Sequence, residues 1–85
     1  MKTVYKYYLP LDDKATVEMP KGAEVLYVGQ IENSPYIWAL VDIAAPVEDR
    51  VFYWRGTGHP ADGLGKYVGS VIFPGNYIVF HLFEA

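Results

Sequence analysis

Residues 24–43, "EVLYVGQIENSPYIWALVDI", decide the fold class of this chain. Aliphatic and aromatic residues recur at every second position in both halves, a period that is typical of β-strands. Between the halves, "ENSP" supplies residues that favour a turn, so the two halves are predicted to form a hairpin. In the second half one face carries Tyr36, Trp38, Leu40 and Asp42, and the other carries Ile37, Ala39 and Val41.

The same pattern extends over the rest of the chain and predicts an all-β protein. "PKGA" (residues 20–23) suits a β-turn or a short hairpin, "AAPVED" (44–49) a loop, and "PGN" (74–76) a turn between two antiparallel strands. The best helix candidate, "HPADGLGKYV", contains two glycines and a proline, so at most one short helical turn is expected. We predict a small antiparallel sandwich or barrel of about seven strands. The predicted strands cover residues 2–9, 15–19, 24–31, 36–43, 50–56, 66–73 and 77–84.

Length and composition limit the kind of protein. The 85 residues form a single all-β domain (residues 1–85), which buries only roughly 60–65% of its unfolded surface. The chain has no cysteine and only two histidines, which excludes disulfides and thiolate metal sites, and we expect no metal and no cofactor. Its residues are 52% hydrophobic and 16% aromatic, more apolar area than a small monomer easily hides. This surplus predicts a homo-oligomer or a ligand surface.

Charge and hydropathy argue against two classes of partner. Seven basic residues are scattered among ten acidic ones, for a net charge of −3, which does not favour general nucleic-acid binding. No apolar run reaches the roughly 18–20 residues of a membrane helix, and "MKTVYKYYLP" resembles no signal peptide. We therefore expect a cytoplasmic protein that does not bind membranes.

The stretch "WRGTGHPADG" (residues 54–63) is the best candidate for a ligand site. Trp54 offers a stacking face and Arg55 a donor fork for phosphate or carboxylate. Two glycines let backbone N–H groups approach a ligand oxygen, and the threonine and histidine suit a sugar or base. The predicted ligand-binding residues are Trp54, Arg55, Gly56, Thr57, Gly58 and His59.

Strand geometry sets a condition on this site. Trp54 and Arg55 are adjacent on a predicted strand, so their side chains should point to opposite faces. Both can serve one ligand only if the strand bulges there or if the site lies between two chains. The competing interpretation places Trp54 in the core, pairs Arg55 with a surface carboxylate and makes "GTGHPADG" a mobile loop. The sequence leaves both interpretations open.

Aromatic strands are candidates for a subunit interface. The first strand places Tyr5 and Tyr7 on one face, which suits an edge that presents hydroxyls to a partner. The last strand is apolar on both faces, so it is either central in a sandwich or packed against another subunit. Its histidine is expected to be a hydrogen-bonded core or interface residue. The predicted interface residues are Tyr5, Tyr7, Trp38, Tyr77, Val79 and His81.

Equipment for catalysis is sparse. Ser34 and Ser70 are the only serines, and neither lies in a nucleophile elbow. A metal-dependent enzyme would need both histidines to converge with carboxylates such as Asp42 or Asp62, and no spacing indicates this. We predict no catalytic residues.

Several stretches carry a resemblance to a known family: "VYKYYLPLDD", "VEMPKGAEVLYV", "WALVD", the "AP" loop with Glu48 and Arg50, "GTGHP", "YVGSV" and "VFHLFE". Together they resemble a family of very small phage and prophage proteins, generally of unknown function, over essentially the whole chain. Two stretches, "NSPYIW" and "PGNYIVF", depart from the family pattern by carrying bulkier residues. The resemblance implies a phage setting and brings no assigned catalytic residues.

Three functions follow as hypotheses. The leading one is a phage-encoded, non-enzymatic binding protein, an anti-defence sponge that sequesters a small nucleotide-like immune signal in the host cytoplasm as a homo-oligomer. The alternative is an inhibitor that binds a host defence protein through an exposed sheet edge or apolar patch. The third is a small enzyme that degrades a nucleotide signal, with His59 or His81 as general acid or base.

Overall fold

The computed structural model describes residues 1–75 and 77–85 and contains seven β-strands. Within these residues there is no helix, and hence none that could cross a membrane. All seven predicted strands are confirmed, with differences only at their ends. The strands are β1 (Lys2–Tyr8), β2 (Lys14–Pro20), β3 (Glu24–Ile31), β4 (Ser34–Asp42), β5 (Val47–Gly56), β6 (Lys66–Phe73) and β7 (Ile78–Glu84).

The strands form two antiparallel sheets. The three-stranded sheet has the order β1-β4-β3, and the four-stranded sheet has the order β2-β5-β7-β6. The sheets do not close into a barrel, so of the two predicted architectures the sandwich is correct. β7 lies between β5 and β6, which confirms the central position predicted for the last strand, and β1 is an edge strand.

The predicted hairpin of β3 and β4 is confirmed, and the conformation of its turn explains why the residues "ENSP" form it. Glu32 and Asn33 have φ angles of 51° and 66°, so both central residues adopt the left-handed conformation. A turn of this kind matches the twist of the flanking strands. β6 and β7 also pair as predicted. In the predicted "PGN" turn between them, Asn76 lies outside the described residues.

One local prediction is narrowed to one of its two alternatives, and another needs correction. "PKGA" forms a turn, in which the Ala23 N–H donates to the Pro20 carbonyl at 3.1 Å, but not a hairpin. β2 and β3 belong to different sheets, because each pairs along its length with another strand. The loop predicted over residues 44–49 is shorter than expected, since β5 begins at Val47 and pairs there with Pro20 of β2.

The core lies between the sheets and uses one side of each strand. Ile37, Ala39 and Val41, which the alternation placed on one face of β4, are fully buried and face the four-stranded sheet. From that sheet Phe52 and Leu82 complete the same cluster. The opposite side of β4 is therefore the outer surface of the three-stranded sheet.

An ion pair stabilises one end of the sandwich. The guanidinium of Arg50 in β5 donates two hydrogen bonds to the carboxylate of Glu84 in β7, one of them at 3.0 Å, and a third to the Ala23 carbonyl at 2.8 Å. The hydrogen bonds to Glu84 raise the pKa of Arg50. Because Ala23 lies in the turn between the sheets, these bonds fix that turn to the four-stranded sheet.

Candidate functional site

Trp54 belongs to the core and not to a ligand site. Its side chain is 2% exposed and meets Phe80 edge to face, with ring centres 6.4 Å apart. The stacking role predicted for Trp54 is therefore wrong for this structure, because its ring has no face open to solvent. Its indole Nε1 is buried without a hydrogen-bond partner among the described residues.

Arg55 lies on the outer face of the four-stranded sheet and is occupied by the protein itself. Its Nε donates to the Pro60 carbonyl at 3.1 Å, and its Nη1 donates to the carbonyls of Asp13 at 3.1 Å and Trp54 at 2.7 Å. These are carbonyls and not the carboxylate expected by the competing interpretation. The donor fork predicted for a phosphate thus holds the loop that follows β5 in place.

The expected opposition of Trp54 and Arg55 is confirmed. Both residues keep a regular register with β7, Trp54 opposite Leu82 and Arg55 opposite His81, so the strand has no bulge at this point. One residue therefore faces the core and the next faces solvent. The condition for a shared ligand within one chain is not met.

Three other predicted residues do come together. Gly56, Thr57 and His59 line a cleft of about 410 Å³ together with residues 77–80. This volume lies within the range of small-molecule sites. We call this feature the loop cleft; its lining consists of Gly56, Thr57, His59, Tyr77, Ile78, Val79 and Phe80.

Each glycine of "GTGHP" has a separate structural reason. Gly58 has a φ of 88°, which favours glycine because a side chain is strained there. At Gly56 an added Cβ would come within 3.2 Å of the His59 imidazole, so glycine lets that ring fold back over the strand end. The His59 N–H donates to the Gly56 carbonyl at 3.1 Å and closes the turn.

The loop cleft is mainly apolar, with a few polar groups. Tyr77 is 85% exposed and has a φ of 56°, and Ile78 and Phe80 add apolar surface. Thr57 and His59 supply the hydroxyl and the imidazole. Among the described residues, neither lysine nor arginine lines this cleft. Its chemistry suits a planar, weakly polar group better than a phosphate.

A chain of hydrogen bonds runs across the outer face of the four-stranded sheet to the loop cleft. Tyr67 Oη lies 2.7 Å from Ser70 Oγ, and Ser70 Oγ lies 2.7 Å from His81 Nδ1. On the other side of the ring, His81 Nε2 lies 2.8 Å from Thr57 Oγ1. Thr57, which lines the cleft, is therefore held in position by His81.

Sequence reasoning missed this network because it gave the bounds of the last two strands but not the register between them. Beginning the last strand at Tyr77 would pair Ser70 with Phe80, whereas β7 begins at Ile78 and pairs Ser70 with His81. A four-residue connection over 74–77 would have predicted the contact. His81 is hydrogen-bonded, as expected, but it lies half-buried on an outer sheet face and not in the core.

The network resembles a nucleophile and its base in part only. A serine hydroxyl lies within reach of an imidazole whose other nitrogen is oriented by a third group, as in hydrolases. Here, however, the third group is the hydroxyl of Thr57 and not a carboxylate. Ser70 does not line the loop cleft, so its hydroxyl is not directed at a ligand bound there.

A second candidate surface lies on the outer side of the three-stranded sheet. Four rings cross all three strands: Tyr8 and Tyr36 are 5.8 Å apart, Tyr36 and Trp38 6.1 Å, and Trp38 and Tyr27 5.6 Å. The Lys6 ammonium lies 4.8 Å from the centre of the Tyr36 ring. We call this surface the aromatic face; its apolar members are Val4, Tyr8, Tyr27, Tyr36, Trp38 and Leu40.

A comparison with protein families assigns the whole chain to one family. The model of the family described as "Domain of unknown function (DUF7352)" matches residues 1–85. The chain belongs to this family. No curated protein and no solved structure matches it. The family assigns no activity to any residue, so the loop cleft and the aromatic face are the features from which the function of this DUF7352 domain must be inferred.

The residues predicted for an interface do not form one surface in the DUF7352 domain. Trp38 lies on the aromatic face, outside the buried core. Tyr5 and Tyr7 lie on the other side of β1, with ring centres 6.4 Å apart, and burial raises the pKa of Tyr7. The three members from the C-terminal region, Tyr77, Val79 and His81, lie in or beside the loop cleft.

Proposed function

We propose that this chain is a phage-encoded, non-enzymatic binding protein that sequesters a small nucleotide-like ligand in the loop cleft. The observation that carries the proposal is that Gly56, Thr57 and His59 share one cleft of about 410 Å³ with Tyr77. Residues far apart in the chain thus contribute a ring, an imidazole and a hydroxyl to one concave site. The phage setting is supported by the resemblance described above.

The ligand chemistry differs from the phosphate recognition expected from the sequence. Arg55 donates to three carbonyls and is not among the residues that line the cleft. A nucleobase, by contrast, can stack on the exposed ring of Tyr77 and accept or donate hydrogen bonds at His59 and Thr57. Stacking of a base on an aromatic side chain contributes about 1–3 kcal/mol. The base would lie in the cleft, and the phosphates would remain in solvent.

Binding without turnover is the activity that this geometry supports best. Both ring nitrogens of His81 already have partners, and the Ser70 hydroxyl lies outside the cleft lining. A protein that holds a host signalling nucleotide in this way would lower its free concentration and keep it from its effector. Such a sponge needs affinity and abundance but no chemistry.

Isothermal titration calorimetry with mononucleotides and cyclic dinucleotides tests the proposal, together with analysis of small molecules that co-purify with the protein. Tyr77→Ala should weaken binding about 10- to 100-fold, since it removes the stacking surface. The matched control is Tyr27→Ala, an exposed tyrosine on the other sheet and outside the cleft, which should bind as the wild type does. Recovery of intact ligand after denaturation is expected, whereas a hydrolysed ligand would indicate the enzyme. Absence of nucleotide binding would end the proposal.

The aromatic face favours a second candidate, an inhibitor that binds a host defence protein through this apolar sheet surface. That function requires the face to be free in solution. It predicts a monomer whose one-to-one complex with the target is lost in Tyr27→Ala and retained in Tyr77→Ala. The sponge predicts that protection against host defence is lost in Tyr77→Ala and His59→Ala.

A further inference from the structure

We propose that the aromatic face binds a second copy of this chain, giving a two-fold dimer in which β1 of each copy lies over β3 of the other. The axis would run along β4, in the plane between the two three-stranded sheets. This dimer does not depend on the loop cleft or its ligand, because the two surfaces share no residue.

The first reason is the apolar area left open on this face. Val4, Tyr8 and Tyr27 are 50%, 55% and 65% exposed. With about 200 Å² for an aromatic side chain, Tyr8 and Tyr27 alone expose about 110 and 130 Å². Tyr36 and Trp38 connect these two rings into one contiguous apolar surface, and aromatic rings are enriched at interaction sites.

The second reason is the distribution of charge, which complements itself under a two-fold rotation. β1 carries Lys2 and Lys6 on this face, and β3 carries Glu24. The registers place Val4, Leu40 and Glu24 in one row across the sheet. A rotation about β4 therefore brings Glu24 of the second copy opposite Val4, between the two lysines. Each dimer would contain this arrangement twice.

The same rotation places β4 of one chain over β4 of the other, and the side chains of these two central strands can pack against each other. Trp38 would meet Trp38 of the second copy close to the axis, and its ring is flanked by Tyr27 and Tyr36. Aromatic pairs of this kind dominate the energy of many interfaces.

Asp42 would also face Asp42 of the second chain, and groups of its own chain already compensate its negative charge. Its Oδ1 lies 3.4 Å from the N-terminal ammonium and accepts a hydrogen bond from the Ala44 N–H at 3.1 Å. Lys2 lies directly opposite Asp42 in the β1–β4 register. Each carboxylate would therefore meet its copy with cations of its own chain beside it, which lowers the repulsion between the two carboxylates.

A second copy explains the face better than an unrelated protein does. Two lysines and two carboxylates make the face electrically balanced, while the chain as a whole carries a net charge of −3. Lys2 and Lys6 lie on one edge strand and Glu24 on the other, which is the arrangement that a two-fold axis along β4 requires. A protein partner with a large net charge would not be attracted to this face, because the face has no excess of the opposite charge.

Sedimentation equilibrium of the full chain tests the dimer. A three-stranded face lies at the small end of specific interfaces, so we expect a dissociation constant of about 1–100 μM. Trp38→Ala should weaken association about 30-fold or more, as at an interface hot spot. Tyr27→Ala should weaken it as well, whereas Tyr67→Ala, an equally accessible tyrosine on the other sheet, should leave it unchanged. Circular dichroism verifies that each variant is folded.

Charge reversal tests the orientation. Lys6→Glu and Glu24→Lys should each weaken the homodimer, because each places like charges together at both ends. Mixing the two variants should restore association to within a few-fold of the wild type, since one charge contact of the mixed dimer then keeps its wild-type residues and the other pairs the two exchanged charges. A wild-type chain that remains monomeric at about 1 mM overturns the proposal. So does a dimer lost in Tyr67→Ala but not in Tyr27→Ala, or a mixture that stays dissociated.

Discussion

Replacing Arg55 with alanine separates its two possible roles, as a ligand donor or as a clamp on its own loop. In the structure the guanidinium donates to the carbonyls of Asp13, Trp54 and Pro60, at distances of 2.7–3.1 Å. Asp13 precedes β2 and Pro60 follows β5, so the side chain connects two segments that are distant in the chain. Arg55→Ala should therefore destabilise the fold and loosen the loop over residues 57–65.

The magnitude follows from the three hydrogen bonds. A typical net contribution is about 0.5–1.5 kcal/mol per bond, and two of the three bonds are exposed to solvent, which favours the lower half of that range. Their combined loss is expected to lower the free energy of unfolding by about 1.5–3 kcal/mol. For a chain of 85 residues this corresponds to a decrease in Tm of about 8–16 °C. Arg55→Lys should recover less than half, since an ammonium cannot reproduce the fork.

Urea unfolding followed by tryptophan fluorescence measures the stability, and hydrogen exchange of the 57–65 amides measures the loop. Lys21→Ala is the control, because it removes an exposed cation from a turn at the other end of β2. The clamp predicts a loss of stability with faster exchange in the loop. If Arg55→Ala kept wild-type stability to within about 0.5 kcal/mol but lost nucleotide binding, the ligand-donor role predicted from sequence would be correct and the clamp wrong.

Two further predictions concern single positions. The pKa of Asp42 is lowered from its ordinary value near 3.8, first by the hydrogen bond from the Ala44 N–H and then by the N-terminal ammonium. The ionised Asp42 carboxylate therefore stabilises the fold at pH values above its ordinary pKa, and this stabilisation is lost as the pH falls through the pKa of the folded state. Asp42→Asn should thus narrow the difference in the free energy of unfolding between neutral and acid pH, measured by urea titration. Gly65 has a φ of 103°, and an added Cβ would overlap a backbone carbonyl of the last strand. Gly65→Ala should cost about 2–4 kcal/mol of thermal stability, and Gly63→Ala, with a φ of 70° and open space, about 1 kcal/mol; equal costs would refute the overlap.

Alternation predicted the strands of this protein but not which of their faces would be covered. In β4 the sequence separates Ile37 from Trp38 without ambiguity, yet both are apolar enough for a core. The side that is buried depends on where the four-stranded sheet packs, which is a long-range property. The aliphatic side of β4 is buried in the core, and the Trp38 ring lies on the outer surface of the sheet. Surplus aromatic content predicted that some such surface must exist, and only the fold shows where it is.

For the loop, local rules were more reliable than motif reasoning. Adjacent residues on a strand point to opposite faces, and this rule set the condition, a bulge or a second chain, without which Trp54 and Arg55 could not share a ligand. Interpreting "WRGTGHP" as a phosphate cradle ignored how many of its donors the fold needs for itself. Gly56 and His59 met Tyr77 because β7 returns beside β5, a contact that no spacing in the sequence indicates.

The positions of the two surfaces make their functions separable. Sequence reasoning required either a bulge at Trp54 or a second subunit to complete a ligand site, and the loop cleft needs neither, because one chain supplies all of its lining. The aromatic face lies on the outer side of the other sheet, so a dimer formed there would leave both clefts open. It follows that such a dimer binds two ligands independently, and that the monomer produced by Trp38→Ala keeps full affinity for each. A Trp38→Ala chain that lost its ligand would show that the cleft is completed by the second copy after all.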